Sequence, residues 1–298
     1  MVLRPELFGP GIVPTVEQAL LAAPVLTGLS RERLRGQHGA GQVVDVDGRP
    51  VELAAPVRQA MPVYLYRDLP DEFEVPFDVE ILHADERLVV VDKPHFLATM
   101  PRGRHVTQTA LVRLRRTFGD QLAPAHRLDR LTAGVLLFTR RPQDRAAYQS
   151  LFADRLARKE YRALAAAPPT SAALAAGEPV RVQNRIEKTA GDLRARVVDG
   201  PANAISDITL ADLRPDGLAH YHLVPHTGRT HQLRLHMAGF GVPITGDPLY
   251  PQVDPVLAAA PDRGDFAEPL RLIAARLEFD DPLTGARRRF DSPRTFGP

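Results

Sequence analysis

A chain of 298 residues, 44% hydrophobic and 25% charged, has the composition of an ordinary globular protein and the length for one large domain or two smaller ones. The absence of cysteine excludes disulfides, thiolate metal sites and cysteine nucleophiles and fits a reducing cytoplasm, and no apolar run reaches the length of a membrane span. The formal net charge is only +2, yet residues 101–165 hold 14 Lys+Arg against 5 Asp+Glu, which marks an anion-binding face with nucleic acid as the leading partner.

The opening MVLRPELFGPGIVP lacks the continuous apolar core of a signal peptide, so a cytoplasmic protein is expected. Residues 1–75 read as a small N-terminal module with its linker, and 76–298 as the main domain. Within the module, Val16–Ala23 has helical periodicity, and LSRERLRG predicts a short basic helix ending at Gly36. QVVDVDGRPVEL predicts two strands around an Asp47-Gly48 turn. The stretch DLPDEFEVPFDVE, 68–80, is acidic, contains two prolines and reads as the linker.

Beyond it, Arg87–Asp92 is an apolar strand stopped by Lys93-Pro94. Gln108–Phe118 predicts an amphipathic helix with Leu111, Leu114 and Phe118 on one face and Arg113, Arg115 and Arg116 beside it. Val135–Thr139 predicts a buried strand, and Pro142 starts a helix with Tyr148, Phe152 and Leu156 at four-residue intervals. Strands follow at Glu160–Ala165, 179–187, 193–198, 206–213 and 217–225. THQLRLHMAGFG reads as a helix beginning near Thr230 and closed by glycines. Leu272–Phe279 and Arg287–Phe290 close the chain as strands. Many strands with few helices imply an α+β fold: a mixed, largely antiparallel sheet with flanking helices, plus the small N-terminal module.

The glycines Gly36, Gly39 and Gly41 do not follow the order of a dinucleotide loop and no Walker motif is present, so no nucleotide cofactor is expected. His226, His231 and His236, five residues apart, fall on different faces of either a helix or a strand, and no acidic residue lies between Pro225 and Gly246. No metal is expected there. No GxSxG elbow exists. HTGRTHQLRLH reads either as an anion grip, in which Arg229 joins the free N–H groups of a helix start, or as an ordinary cap with a solvated arginine.

HRLDRLTAGVLLFTRR, residues 126–141, holds one carboxylate, Asp129, between Arg127 and Arg130. It is either a loop aspartate paired with a neighbouring arginine or a carboxylate fixed at the end of a buried strand, where preorganised sites are built. Without a second acid, paired-carboxylate glycoside hydrolysis is disfavoured.

These residues carry a resemblance. HRLDRLTAGVLLF resembles the catalytic motif of the RluA-type RNA pseudouridine synthases. LVVVDKP, KEYRAL, HTGRTHQLRLHMAGFGVPITGDPLY and RLIAARLEFDDPLTG match that family's other motifs in order, over about residues 79–292. Asp92 stands where the family commonly has asparagine. The resemblance implies a pseudouridine-synthase-like fold and isomerisation of particular uridines in ribosomal or transfer RNA, without cofactor or metal. It implies Asp129 as the catalytic carboxylate and Tyr161 stacked on the base near the proton leaving C5. Arg234 would be paired with Asp129, and Arg127 would displace the flipped base. Arg229 and His231 would contact RNA or shape the site. The basic segment itself predicts Arg102, Arg104, Arg113, Arg115 and Arg116 on one face with Arg127 along the RNA path, with Arg130 a further RNA contact. Leu249, Tyr250, Leu272 and Ile273 would form pocket wall or core. The N-terminal module resembles a small RNA-binding module in outline. A monomer is expected. The alternatives are a non-catalytic RNA-binding protein on the same fold and a carboxylate-dependent hydrolase of nucleosides or sugars.

Overall fold

The computed structural model describes residues 1–298 except 10, 27, 67–71, 104, 169–173, 175–176 and 297–298. The chain forms two units, Met1–Pro70 and Asp71–Pro298. The boundary falls before the expected 75/76 because Glu72 and Val75 belong to the second unit. Glu72 accepts hydrogen bonds from the backbone N–H groups of Val106, Thr107 and Gln108, at 2.8, 2.7 and 3.0 Å. Val75 is buried in the same core as the helix that follows. Residues 68–71 of the expected linker lie outside the described residues.

In the first unit, Thr15 caps the helix Val16–Leu21 through a capping box with Gln18. Ser30 caps Arg31–Gly39, which runs three residues past the expected stop at Gly36. The expected hairpin is only partly present. Asp45 Oδ1 braces the turn by accepting from Asp47 N and Arg49 N. Val44 makes a single bridge to Pro50, and strand Val43–Val44 pairs instead with Tyr64–Leu65. Pro50 has no N–H to extend a ladder.

The second unit is built on an 11-stranded sheet. Its strands are β1 (Glu80–Ala84), β2 (Leu88–Lys93), β3 (Ala123–Pro124), β4 (Ala133–Thr139), β5 (Arg158–Ala166), β6 (Pro179–Glu187), β7 (Arg196–Val198), β8 (Ala204–Leu213), β9 (Leu218–Pro225), β10 (Leu272–Asp280) and β11 (Arg287–Asp291). The order is β7-β6-β8-β9-β5-β10-β4-β2-β1, with β11 on β10 and β3 on β4. Every pairing is antiparallel except β10 with β4, where Ile273 lies opposite Ala133 and Ala274 opposite Gly134. Gly134 is required at that junction: its φ is +111°, and a Cβ there would lie 2.2 Å from Ala274 O.

Among the described residues the second unit has the helices α1 (Ala110–Phe118), α2 (Arg145–Ala153) and α3 (Gln232–Gly239), and a short fourth, Pro255–Ala259. The continuous apolar runs of β2 and β4 follow from burial on both faces. Val89, Val91, Leu136 and Phe138 pack with Leu111 and Leu114 of α1, whereas Leu88, Val90, Val135 and Leu137 pack with Tyr148 and Leu151 of α2. Helix α2 ends at Ala153, so Leu156, expected on its apolar face, is 66% exposed. Leu233 and Met237 of α3 pack on β5, β8, β9 and β10. No described helix is long and apolar enough to cross a membrane.

Candidate active site

Asp129 lies in the turn that leads into β4, and the backbone around it is pinned at four successive residues. Thr99 Oγ1 accepts from Leu128 N at 3.1 Å and donates to Leu128 O at 2.8 Å. Asp129 O accepts from Thr132 N at 3.1 Å. Lys93 Nζ donates to Arg130 O at 3.3 Å, and the ring of His95 meets Leu131 O through Nδ1 at 2.7 Å. Lys93 is fully buried at the end of β2, and its two other bonds go to Pro94 O and Leu97 O, at 3.0 and 2.8 Å. Burial lowers its pKa to about 7, and the charge of Asp129 acts against that shift. Lys93, His95 and Thr99 thus hold the Asp129 turn from a segment more than 25 residues away in sequence.

The Asp129 side chain is treated differently from its backbone. Among the described residues its carboxylate accepts no hydrogen bond and closes no ion pair. It lines a cavity of about 830 Å³, together with Thr99, Arg127, Arg130, Tyr161, Arg229, His231 and Arg234. Tyr161, on β5, faces the same space. Burial raises its hydroxyl pKa, and the negative charge of Asp129 adds to the rise. A neutral phenol and a carboxylate therefore line one cavity.

Arg234 is 2% exposed on α3. Its expected partner was Asp129, but its hydrogen bonds go to Asp247: Nε to Oδ2 at 2.7 Å and Nη2 to Oδ1 at 2.6 Å. Asp247 Oδ1 also accepts from Leu249 N and Tyr250 N, at 2.8 and 3.1 Å. Asp129 reaches Arg234 only as a further electrostatic neighbour: burial acts to lower the arginine pKa, Asp247 outweighs it, and Asp129 adds to the rise. The guanidinium also lies 5.2 Å from the centroid of Tyr250. Gly246, at φ +74°, lets this turn pass Pro269, whose carbonyl would be 2.3 Å from a Cβ. In TGDPLY, the aspartate and glycine are the parts that sequence reasoning missed. Tyr250, Leu272 and Ile273 are buried, as expected of wall or core.

In the segment HTGRTHQ, Thr227 and Gln232 form a buried polar brace, while His226, Gly228, Arg229 and Thr230 are exposed. Helix α3 starts at Gln232, after His231 at φ +58°, two residues later than expected. Gln232 Oε1 accepts from Thr227 Oγ1 at 2.7 Å and from Arg229 N at 3.0 Å, while its Nε2 donates to Ile205 O and Ser206 Oγ. The N–H of Arg229 is consequently spent within the protein, and its Nε donates to Asn203 O at 3.2 Å. His231 meets Tyr250 Oη through Nδ1 at 3.0 Å, and burial lowers its pKa to about 4. The three spaced histidines have separate partners: His226 meets Asp207, His231 meets Tyr250, and His236 donates to Asn184 Oδ1.

The predicted basic face divides. Arg113 donates to Phe77 O, Val75 O and Gln108 Oε1, and Arg115 to Leu122 O, so both are occupied by their own domain. Arg130 donates to Phe96 O and pairs with Asp262 at 3.0 Å. Arg102, Arg116 and Arg127 are exposed, and their guanidinium groups have no partner among the described residues. Arg104 lies outside the described residues.

The family profile described as RNA pseudouridylate synthase matches residues 87–239, just over half of the chain. The chain belongs to that family. The match spans the Asp129 turn, Tyr161 and Arg234 together. The dual-specificity RNA pseudouridine synthase RluA of Pasteurella multocida is 28% identical over 73% of this chain and 94% of its own. The ribosomal large subunit pseudouridine synthase D of Pseudomonas aeruginosa is 28% identical over 92% of this chain and 87% of its own. The solved structure of human RNA pseudouridylate synthase domain containing 4 superposes with a TM-score of 0.53, at 25% identity, over 72% of this chain and 89% of that one. The synthase is thus of the RluA type, with an α+β fold, and acts as an RNA-modifying isomerase.

Proposed function

We propose that this synthase converts specific uridines of ribosomal or transfer RNA to pseudouridine in the cytoplasm, as a monomer, with Asp129 as its catalytic carboxylate. The observation that carries the assignment is a carboxylate whose backbone is pinned at four successive residues while its oxygens have no partner among the described residues, in a cavity that Tyr161 and Arg234 also line. The target base leaves its stack to enter, at a cost of a few kcal/mol that contacts to Arg127 and the RNA backbone offset. The N1–C1′ bond breaks, the base turns and C5 bonds to C1′. C5 gives up its proton and N1 gains one, so the product is an isomer and no redox partner is consumed. Asp129 acts by attack at C1′ or by drawing the 2′ proton in a glycal route. Tyr161 lies against the base near C5, and residues 1–70 guide the choice of RNA.

Asp129→Asn keeps the shape and removes the charge. RNA binding is expected to persist while turnover falls by at least ~10³-fold, about 4 kcal/mol of barrier. Single-turnover conversion read by carbodiimide mapping tests this, and a variant with a tenth of wild-type turnover would overturn the assignment. The same measurement separates the alternatives: an RNA-binding protein converts nothing, and a hydrolase releases free uracil.

A further inference from the structure

The cavity holds a second group with an unanswered charge. Lys159 lines it two residues before Tyr161 on β5, so the two side chains project from the same face of the strand. Glu160, between them, turns to the other face, where it meets Arg158 at 2.9 Å, His222 at 3.3 Å and Arg276 at 3.4 Å. Lys159 therefore has no claim on that carboxylate. Among the described residues its ammonium has no hydrogen bond and no ion pair, and burial alone lowers its pKa.

His126, which lines the cavity near Lys159, is neutral. The ring of His126 stacks on Phe152 at 4.2 Å with 21° between planes. His126 Nε2 accepts from Leu137 N at 3.2 Å, and burial pushes its pKa down to about 3, so it stays uncharged. Asp129 lines the same cavity but does not pair with Lys159, and a half-buried cation with no ion-pair partner among the described residues calls for an anion from outside the protein. The base and ribose of a bound nucleotide are uncharged, so the anion that RNA brings is its phosphodiester. Two residues along a strand span about 7 Å, a step that a ribose bridges between a base at Tyr161 and a phosphate at Lys159.

We propose that Lys159 is a phosphate-binding residue, gripping the RNA backbone next to the uridine whose base lies against Tyr161. This rests on the reading of the cavity as the uridine site. Arg127, exposed on the same cavity, supplies the neighbouring positive charge.

Lys159→Gln, with Lys159→Arg as the charge-conserving control, tests the contact on a short stem-loop RNA. The glutamine variant is expected to weaken binding about tenfold, with the loss falling on KM rather than kcat. Its log–log salt slope should fall by roughly 0.7–0.9, and the arginine variant should recover both. A methylphosphonate beside the target uridine should weaken the wild type similarly and add nothing in the glutamine variant. Unchanged affinity and slope with a native melting curve, or additive losses, would overturn the contact. A wild-type chain that binds with the Lys159-dependent slope but forms no pseudouridine would overturn the reaction and leave the phosphate contact standing.

Discussion

The placing of Asp129 ahead of a buried strand was legible in the sequence because its surroundings are local: a carboxylate between two arginines at the start of an apolar strand. What holds it was not. Lys93, His95 and Thr99 act on backbone carbonyls and an N–H of residues 128–131, and no side-chain pattern records such bonds. Arg234 was expected to pair with Asp129 but pairs with Asp247, since a buried arginine takes the carboxylate with which it can form two parallel bonds, and Asp247 offers that geometry. The pair is almost fully buried, at 3% and 1% side-chain exposure. Asp247→Ala would leave the arginine charge uncompensated in the core and strip two backbone N–H groups of their acceptor. A loss of about 3–5 kcal/mol in denaturant unfolding is expected. Adding Arg234→Met should restore part of the stability without restoring turnover. A single variant within 1 kcal/mol of wild type, roughly the value of a surface pair, would show the ion pair to be dispensable.

At the scale of elements, periodicity located most strands and helices of the second unit, because β2, β4 and α1 carry their burial pattern in their own sequence. Pairing was less visible. The parallel contact of β10 with β4 joins segments some 140 residues apart and depends on the missing Cβ of Gly134. Helix α1 shows the limit of reading charge as function. Its arginines look equivalent in sequence, but Arg113 is held by three acceptors at 2.6 to 2.7 Å while Arg116 stands in solvent. The two should therefore respond oppositely. Arg113→Ala is expected to cost about 1–3 kcal/mol of stability with little change in RNA affinity. Arg116→Glu should leave the melting curve unchanged and weaken RNA binding, with a salt slope lower by roughly 0.7–0.9. Thermal melts and salt-dependent binding isotherms separate the two, and equal behaviour would mean that the helix presents one continuous basic face after all.

Across the whole molecule, burial keeps four imidazoles of the second unit neutral. His95, His231 and His236 have pKa values lowered to about 4 and His126 to about 3, in each case mainly by burial. The hydrogen bonds agree. His126 Nε2 already accepts an N–H, and His236 Nδ1 is buried with no partner for an added proton. Below the ordinary histidine value of about 6.5, the unfolded chain takes up protons on these rings that the folded chain does not. Stability is then lost as pH falls from about 6.5 toward 4, and for His126 toward 3. At pH 5 each ring that stays neutral accounts for about 2 kcal/mol. Asp207, lowered to about 2 mainly by Arg181, adds to the loss only below its ordinary 3.8. The melting temperature should therefore fall as pH drops from about 6.5 to 5, above the ordinary carboxylate range. His236→Gln, which can still donate to Asn184, should flatten part of that slope. A melting temperature constant down to pH 5 would show that the imidazoles accept protons in the folded state and that the core around the site opens to water.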